Sequence, residues 1–291
     1  MNVLFVVNNN KDKDHSISKE IASYLKNKSV NIYCDDSEFA ELLELYNFED
    51  CMASTIDFAL VLGGDGTVLK YASKYGKYHF PYVGVNMGRV GALTILELDN
   101  YKSYLDKIIN GEYEVVHQLG LDGEIVYRDG KVVSFTSYND IIFHRGLSLK
   151  LLPILIGVNE SDKDLFYADG VIVATPVGSS AYNASAGGPL LSYGSKSYVI
   201  TPICPQSKSF TPLVVSEEDE VSLSMTNKVN VMDNEVIVSV DGCFKYFVSP
   251  FDEIKVRKSN STLKMIRFNK NDSLYTSVYK AVASIDKKGE K

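Results

Sequence analysis

The sequence predicts an α+β protein in which an N-terminal α/β domain precedes a C-terminal all-β domain. Within the first hundred residues, short apolar segments alternate with segments of helical periodicity, which indicates βαβ units and a parallel sheet. After Gly111 the helical periodicity disappears, and short β-branched and aromatic segments follow. A chain of 291 residues has about the length of two domains. We predict domains at 1–100 and 101–265, and a C-terminal helix within 266–291 that returns to the first domain.

The N-terminal domain is predicted to alternate four strands with four helices. The strands are the apolar segments NVLFVV, VNIYC, FALVL and YVGVN, at residues 2–7, 30–34, 58–62 and 82–86. The helices are predicted from the cap residue Ser16 to about Asn27, from Ser37 to Tyr46, from Thr67 to about Tyr75, and near residues 100–109.

The C-terminal domain is predicted to consist of short strands joined by turns. Turn signals occur at Asp122-Gly123, Asp129-Gly130 and Asp241-Gly242. One helix is predicted across SSAYNASAGG, and a last helix at 272–287 has an apolar face that we expect to pack on the first domain. The predicted strands are EIVY, KVVSFTS, IIFH, LPILIGV, GVIVATP, YVITPI, EVSLSM, VIVSV, YFV and EIKVR.

The composition argues against several classes of protein. The formal net charge is −7 and no basic run of five or more residues occurs, so a general nucleic-acid binder is disfavoured. The apolar segment VLFVV is too short for a signal-peptide core or a membrane span. The four cysteines lie far apart without a CxxC pair, which is typical of reduced thiols. We therefore expect a cytoplasmic protein without nucleic-acid or membrane partners.

A glycine-rich stretch, FALVLGGDGTVLK at residues 58–70, places Asp65 directly after a buried strand. One interpretation is a simple strand-to-helix turn in which Thr67 caps the helix. A standard nucleotide loop is excluded because neither GxxxxGK[ST] nor GxGxxG follows the strand. A third interpretation is a phosphate-binding loop in which Asp65 accepts a proton from a substrate hydroxyl, with Lys70 one helical turn further on. On this motif alone the turn and the kinase are about equally supported.

A second unusual stretch is YADGVIVATPVGSSAYNASAGGPL, at residues 167–190. It places the carboxylate of Asp169 in a turn and follows a strand with a segment of small residues. Small side chains permit a flat ligand to approach closely, and Tyr182 offers a face on which a base can stack. The alternative is a buried strand with a tightly packed helix. A serine nucleophile is disfavoured because the stretch contains neither a GxSxG elbow nor a histidine.

Taken in order and spacing, several motifs resemble those of the NAD kinases. They are GGDGT, GVNMGRVGALT, YNDIIFHRG, ADGVIVATPVGSSAYNASAGGP and TPICPQSKSFTPLVV. GGDGT alone is shared with diacylglycerol and sphingosine kinases and, loosely, with phosphofructokinases, whereas the DG…ATP.GS.AY…AGGP element is much more specific. The resemblance implies a Rossmann-like α/β domain, a β-rich domain and an NAD site between them. It also implies transfer of the terminal phosphoryl group of ATP to the 2′-hydroxyl of the adenosine ribose of NAD, with a divalent metal cation, expected to be Mg²⁺.

The resemblance also implies a set of site residues. Asp65 would be the catalytic base, and Asn139 and Asp140 would hold ribose hydroxyls or the adenine edge. A carboxylate accepts from two hydroxyls and an amide both donates and accepts, so the residue types suit that role. A polar turn before the strand IIF is the alternative for this pair. The full set of expected ligand contacts is Asp65, Gly66, Lys70, Asn139, Asp140, Lys150, Tyr167, Asp169, Ser180, Ala181, Tyr182, Asn183, Ala184, Ser185 and Thr201.

Some positions depart from the family pattern. Val177 and Ser180 stand where threonine is usual, Ala92 replaces a common phenylalanine, and Cys243 follows Asp241-Gly242 where glutamine is common. These changes affect expected contacts to the adenine and leave the proposed chemistry intact. We expect a homo-oligomer, either a dimer or a tetramer. The alternatives are another GGDGT-type kinase acting on a lipid or sugar, and a dinucleotide-binding regulator without catalytic activity, which the presence of Asp65 disfavours.

Overall fold

The computed structural model describes residues 1–52, 55–88, 91–159, 161–226 and 236–268. It divides into two compact units: Met1–His117 with the described residues from Leu263 onward, and Gln118–Thr262. These limits differ from the predicted boundaries at 100 and 265, because the helix Tyr101–Ile109, most of the strand Glu114–Gln118 and the whole strand Leu263–Arg267 belong to the first unit. The predicted helix at 272–287 lies outside the described residues. No helix in the described part of the chain is long and apolar enough to cross a membrane.

The structure assigns five helices and nineteen strands to these residues. The helices are α1 (Ser16–Asn27), α2 (Ser37–Leu42), α3 (Asp65–Tyr75), α4 (Tyr101–Ile109) and α5 (Tyr182–Ser185). The strands are β1 (Asn2–Val7), β2 (Asn31–Cys34), β3 (Tyr46–Asn47), β4 (Phe58–Gly63), β5 (Tyr82–Asn86), β6 (Glu114–Gln118), β7 (Leu121–Val126), β8 (Val132–Ser137), β9 (Asp140–His144), β10 (Leu152–Val158), β11 (Asp164–Ala168), β12 (Gly170–Ala174), β13 (Ser197–Ile203), β14 (Leu213–Ser216), β15 (Val221–Met225), β16 (Val236–Val240), β17 (Phe244–Val248), β18 (Glu253–Lys258) and β19 (Leu263–Arg267).

The first unit is built on one seven-stranded sheet with the order β3-β2-β1-β4-β5-β19-β6. Strands β1 to β5 pair in parallel, and β1 aligns Val3 with Phe58 of β4. Strand β4 is buried along its whole length, as expected for a parallel strand covered on both faces. Its parallel partners end at the same edge of the sheet, so the segments that follow β1, β2 and β4 are brought together there.

In the first unit, one predicted helix cap and one predicted helix start are wrong. Helix α1 begins at Ser16, but its first turn is capped by the buried Asp12, which accepts from the N–H groups of Ile17 and Ser18. Helix α3 begins at Asp65, two residues before the expected Thr67, so this carboxylate occupies the first helical turn. In both helices a residue upstream replaces the expected hydroxyl cap: the carboxylate of Asp12 accepts from the first turn of α1, and Gly64 is the N-cap of α3.

Helix α2 begins at Ser37 as predicted, and the side chain of Asp36 caps it by accepting from the N–H of Phe39 at 3.0 Å. It ends at Leu42, four residues earlier than expected. Glu44 adopts a left-handed backbone with φ of 53°, and the N–H of Leu45 turns back to the carbonyl of Ala40. The apolar spacing of residues 43–46 therefore belongs to a turn and to β3.

The second unit consists of two six-stranded sheets whose neighbouring strands pair antiparallel. Their strand orders are β11-β10-β15-β18-β7-β8 and β14-β13-β12-β9-β16-β17. One apolar core contains side chains of both sheets, among them Phe143, Tyr198, Leu223 and Ile254. The predicted fold class is confirmed: an N-terminal α/β unit precedes a unit rich in β-strands.

All ten predicted strands of the second unit are present, with three differences in the surrounding detail. Asp122-Gly123 lies inside β7 rather than in a turn, where Gly123 leaves room for the ring of Phe135 on the paired strand. The helix predicted across SSAYNASAGG is reduced to a 3₁₀ turn at Gly178–Ser180 and the four residues of α5. Strands β11 and β14 were not predicted, since most of their residues are exposed.

Candidate functional site

A cleft of about 580 Å³ lies at the edge of the first sheet where β1, β2 and β4 end. It combines the glycine-rich stretch with two lysines, two aspartates and a run of asparagines. The lining residues are Val7, Asn8, Asn9, Asn10, Lys11, Cys34, Asp35, Asp36, Phe39, Gly64, Gly66, Thr67, Lys70 and Tyr71. The carboxyl edge of a parallel sheet is the usual ligand site of such folds.

Lys11 extends over the glycine-rich stretch. A Cβ atom placed on Gly64 would lie 3.1 Å from the Lys11 ammonium nitrogen, and one placed on Gly88 would lie 3.4 Å from it. Lys11 was not predicted as a site residue from the sequence. The available signal was the polar run NNNKDKD directly after the apolar strand β1, because such a run must leave the sheet at its carboxyl edge.

Asp65 is held by four hydrogen bonds from a single loop. Its Oδ2 accepts from the N–H of Ala92 at 2.6 Å, and its Oδ1 accepts from the N–H groups of Leu93 and Thr94 at 3.1 and 3.0 Å. The hydroxyl of Thr94 donates to the same Oδ1 at 3.0 Å. The carboxylate therefore organises the loop after β5, and Oδ2 retains capacity for a second donor.

Two further residues complete this loop. A Cβ atom on Gly91 would lie 2.1 Å from Oδ1 of Asp65, so a side chain at this position would displace the carboxylate. The buried Arg267 at the end of β19 donates to the carbonyl of Ala92 at 3.1 Å. The loop is thus fixed through Asp65 from one side and through Arg267 from the other.

Gly66 and Lys70 present different groups to the cleft. A Cβ atom on Gly66 would meet nothing within 4 Å, and its φ lies outside the left-handed region, so no neighbour requires glycine there. It lies in the first turn of α3, where the N–H groups have no partner inside the helix. Lys70 is exposed one turn further along, with its ammonium 5.8 Å from the ring of Tyr71.

In the second unit, Asn139 and Asp140 stand at the start of β9. Asp140 is buried, and the amide of Asn139 donates to its Oδ2 at 3.1 Å. Burial, followed by the charge of nearby Asp241, raises the pKa of Asp140 to about 7. Asn139 thus lies in the bend that precedes β9, and Asp140 is the first residue of the strand.

The segment 180–185 joins β12 to the region before β13. Tyr182, Ala184 and Ser185 are exposed, whereas Ser180 and Ala181 are half-buried. Asn183 is fully buried, and its amide donates to the carbonyls of Ser179 and Pro189. The hydroxyl of Thr201, also buried, donates to its Oδ1 at 2.6 Å. These contacts direct the polar atoms of Asn183 and Thr201 inward.

Asp169 lies at the opposite end of the β9–β12 ladder from Asp140. The ladder pairs Asp140 with Ala174 at one end and His144 with Gly170 at the other. Four steps along a strand correspond to roughly 14 Å. The structure therefore brings Asp140 close to the start of the segment 180–185 and keeps Asp169 apart from both.

Asp169 forms an ion pair with Arg145, whose Nε lies 2.7 Å from its Oδ1. Arg145 was not singled out in the sequence, although it lies within the motif YNDIIFHRG. Tyr167 is partly exposed on β11, and Lys150 is exposed in the loop after β9, where its backbone N–H donates to Ser148. Among the described residues, no hydrogen bond or ion pair joins the side chain of Lys150 or Tyr167 to another candidate.

Among the described residues, no group of three or more histidine, cysteine, aspartate or glutamate side chains is placed to hold a metal ion. The cleft contains Asp35 and Asp36, but Asp35 already pairs with the ammonium of Lys74 at 2.6 Å and accepts from the hydroxyl of Tyr75. Asp36 caps α2 through one oxygen. The donor set fits a cation that arrives on phosphate groups, since Mg²⁺ commonly binds one or two carboxylates together with substrate phosphates.

Both parts of the chain match models of known families. Residues 3–113 match the ATP-NAD kinase N-terminal domain, and residues 138–268 match the ATP-NAD kinase C-terminal domain. The chain is 33% identical to the NAD kinase of Caldanaerobacter subterraneus subsp. tengcongensis over 274 residues, or 93% of this chain and 94% of that protein. It is 34% identical to the NAD kinase of Methanothermobacter thermautotrophicus over 256 residues, or 88% and 87% of the two chains.

Two solved structures have a similar fold. One is yeast NADH kinase complexed with NADH, with a TM-score of 0.86 and 26% identity, covering 94% of this chain and 84% of the yeast chain. The other is an NAD kinase from Archaeoglobus fulgidus in complex with ATP, with a TM-score of 0.75 and 26% identity, covering 96% and 99%. The similarity spans both units of the present structure.

Proposed function

Because this chain belongs to the ATP-NAD kinase family and is an NAD kinase, we propose how its residues carry out the reaction. The terminal phosphoryl group of ATP passes to the 2′-hydroxyl of the adenosine ribose of NAD, which gives NADP. The observation that carries the proposal is the glycine-rich start of α3, which lines a cleft together with Lys11 and Lys70. The same stretch carries Asp65, which is not one of the residues that line the cleft and whose carboxylate is proposed to accept the proton.

Asp65 is proposed as the general base. Its Oδ2 receives one hydrogen bond from the loop, so a substrate hydroxyl can donate to the same oxygen. The four hydrogen bonds fix the carboxylate before substrate binds, which removes the cost of orienting it during the reaction. Phosphoryl transfer otherwise requires mainly positioning and neutralisation of charge.

The cleft is proposed as the site of the phosphoryl donor. The ammonium groups of Lys11 and Lys70 and the first N–H groups of α3 supply positive potential at one place. Gly66 lets a phosphate approach the helix start, because no side chain covers its backbone. A divalent cation, expected to be Mg²⁺, would be held by the phosphates together with Asp36 and would neutralise charge on the transferred group.

NAD is proposed to contact the polar residues predicted from the sequence. Asn139 and Asp140 accept hydroxyl donors of the ribose or bind the adenine edge, and Tyr182 offers its exposed ring to a base. Asn183 and Thr201 support the segment that carries Tyr182. The hydroxyl of Thr201 donates to Asn183, whose amide donates to the carbonyls of Ser179 and Pro189 on either side of the segment. The remaining proposed contacts are Gly66, Lys150, Tyr167, Asp169, Ser180, Ala181, Ala184 and Ser185.

The protein is further proposed to work in the cytoplasm as a homo-oligomer, without nucleic-acid or membrane partners. The net charge of −7 supports the absence of nucleic-acid binding. Exposed apolar side chains on the edge strands β14 and β17, such as Leu213 and Phe247, support association of copies. Light scattering after size-exclusion chromatography tests the assembly.

Phosphate transfer to NAD and to 2′-deoxy-NAD, measured side by side with ATP, Mg²⁺ and purified protein, tests the reaction. We expect NADP from NAD and no product from the deoxy compound, whose binding is weakened by about 0.5–1.5 kcal/mol for one lost hydrogen bond. Transfer to 2′-deoxy-NAD would place the acceptor elsewhere on the molecule. Binding of both compounds without transfer would indicate a regulator, and indifference to both would indicate a lipid or sugar kinase.

A further inference from the structure

Asp241 is a buried carboxylate that accepts four hydrogen bonds from one short segment, residues 137–140. It follows β16, whose register pairs Val240 with Ile141 of β9, so Asp241 comes to lie beside Asp140. Its Oδ1 accepts from the Ser137 hydroxyl at 2.6 Å and from the backbone N–H groups of residues 139 and 140 at 2.7 and 3.1 Å, and its Oδ2 accepts from the N–H of residue 138 at 3.0 Å.

The same segment is held on its carbonyl side by Thr175. The hydroxyl of Thr175 donates to the carbonyl of Tyr138 at 2.8 Å, and its N–H donates to the carbonyl of Asn139 at 2.9 Å. Gly178 packs so closely that a Cβ atom there would lie 1.9 Å from the carbonyl oxygen of Asn139. The backbone of 138–140 is therefore fixed on both sides. The carboxylate of Asp241 accepts hydrogen bonds from all three of its N–H groups.

We propose that Asp241 is a positioning residue for NAD, acting through Asn139 and Asp140 without touching the substrate. This rests on the proposed function, in which those two side chains bind the nucleotide. Three consecutive N–H groups that point to one carboxylate fix the backbone from which the side chains of Asn139 and Asp140 project. Loss of the carboxylate leaves these buried donors unpaired, and the segment must rearrange to reach other acceptors.

An electrostatic consequence distinguishes this role from simple stabilisation of the fold. Burial raises the pKa of both carboxyls, but four donated hydrogen bonds oppose the rise at Asp241, whereas one opposes it at Asp140. Asp140 is therefore the member that holds a proton near neutral pH. Two neighbouring groups affect the pKa of Asp140: the negative charge of Asp241 raises it, and the hydrogen bond from Asn139 lowers it. Removing the charge of Asp241 lowers the pKa of Asp140.

Asp241→Asn is the informative variant. Asp241 has a left-handed backbone with φ of 50°, which asparagine adopts readily, so the substitution introduces no backbone strain. Asp252→Asn is the matched control. Asp252 is also buried in the second unit and accepts from the backbone N–H groups of Arg128 and Ser249 and from the Ser249 hydroxyl, yet it is far in sequence from the proposed NAD contacts.

The experiment measures KM for NAD, KM for ATP, kcat and melting temperature for both variants and the wild type between pH 5.5 and 8.5. We expect Asp241→Asn to raise KM for NAD at least about fivefold, leave KM for ATP unchanged, and shift the pH midpoint of KM for NAD to lower pH. Asp252→Asn is expected to lower the melting temperature while KM for NAD and its pH midpoint stay at the wild-type values.

If Asp241→Asn does not fold, Ser137→Ala takes its place, because it removes one donor to Asp241 and leaves the backbone bonds. It is expected to raise KM for NAD about twofold to threefold. A wild-type KM for NAD and an unmoved midpoint in the variant that folds would overturn the proposal, as would equal effects in Asp241→Asn and Asp252→Asn. Failure of the underlying function is distinguishable, since the wild type would then form no NADP.

Discussion

At the scale of single residues, Asp65 combines two tasks. Its carboxylate accepts three backbone N–H groups and one hydroxyl from residues 92–94, which fixes the loop after β5. The proposed reaction requires the same carboxylate to accept a proton from the substrate. A substitution at Asp65 thus changes both the loop and the chemistry, and a second variant is needed to separate the two contributions.

We expect Asp65→Asn to retain NAD binding and lose most of its turnover, by about 10²–10⁴-fold, because an amide does not accept the proton. Thr94→Val is the control: it removes the hydroxyl donor to Oδ1 and leaves the carboxylate and the volume of the side chain. Steady-state kinetics and calorimetric NAD binding are measured for both. A Thr94→Val enzyme as inactive as Asp65→Asn would show that the loop, and not the proton acceptor, limits turnover.

At the scale of elements, the start of α3 contains a glycine that the fold itself does not require. Gly66 lies in a helical turn with open space around its Cβ position, and glycine in a helix is less favourable than alanine by up to about 1 kcal/mol. Gly91 differs, since any side chain there would meet Asp65. A residue that weakens its own helix without a packing reason points to a ligand that approaches the backbone.

Gly66→Ala is therefore expected to leave the melting temperature unchanged or slightly raised and to raise KM for ATP or NAD about tenfold. The physical reason is that the added methyl group stands between the helix start and the ligand. Gly194→Ala serves as the control, because its Cβ position is equally open and it lies outside the motifs. Unchanged kinetics in Gly66→Ala would mean that no ligand reaches this backbone.

Lys11 follows β1 and lies over the glycine-rich stretch, so it is expected to bind the phosphates of the donor. Lys11→Ala should raise KM for ATP about tenfold, the typical effect of losing a charge-assisted hydrogen bond, with a much smaller change in KM for NAD. Lys13→Ala, an exposed lysine two residues away that does not line the cleft, should change neither value. Equal effects of the two substitutions would show that Lys11 contributes only to the overall positive charge and does not contact the phosphates.

The elements were predictable wherever a whole segment had one periodicity. Strand β5 has the predicted limits, because five consecutive buried residues define it. Helix ends were less predictable: Asp12 caps α1 from outside the apparent helix, and Glu44 ends α2 through a left-handed backbone. Strands such as β14 were missed because pairing with a neighbour, and not burial of their own side chains, defines them.

At the scale of the whole molecule, the sequence motifs name candidate site residues but do not predict how the fold groups them. Asn139 and Asp140 are adjacent in the sequence and their side chains bond to each other. The ladder between β9 and β12 separates both of them from Asp169. Lys11 and Asp241 were not identified as site residues, because their positions depend on contacts between distant segments: the end of β1 with the glycine-rich stretch, and β16 with β9. Such long-range register leaves no local periodicity in the sequence.

The stability of the whole molecule should depend on pH through Asp140. Its pKa is raised from 3.8 to about 7. Below about pH 3.8 the carboxyl is protonated in both the folded and the unfolded state, so its contribution to the unfolding free energy is fully present. That contribution is lost as the pH rises through 7, because the unfolded state releases the proton first. Asparagine at this position does not titrate and can still accept from Asn139. We therefore expect Asp140→Asn to gain on the order of 2 kcal/mol in unfolding free energy relative to wild type between pH 5 and pH 8. Urea unfolding at both pH values measures this difference. If the unfolding free energy of Asp140→Asn relative to wild type did not increase with pH, the raised pKa of the buried Asp140 would be contradicted.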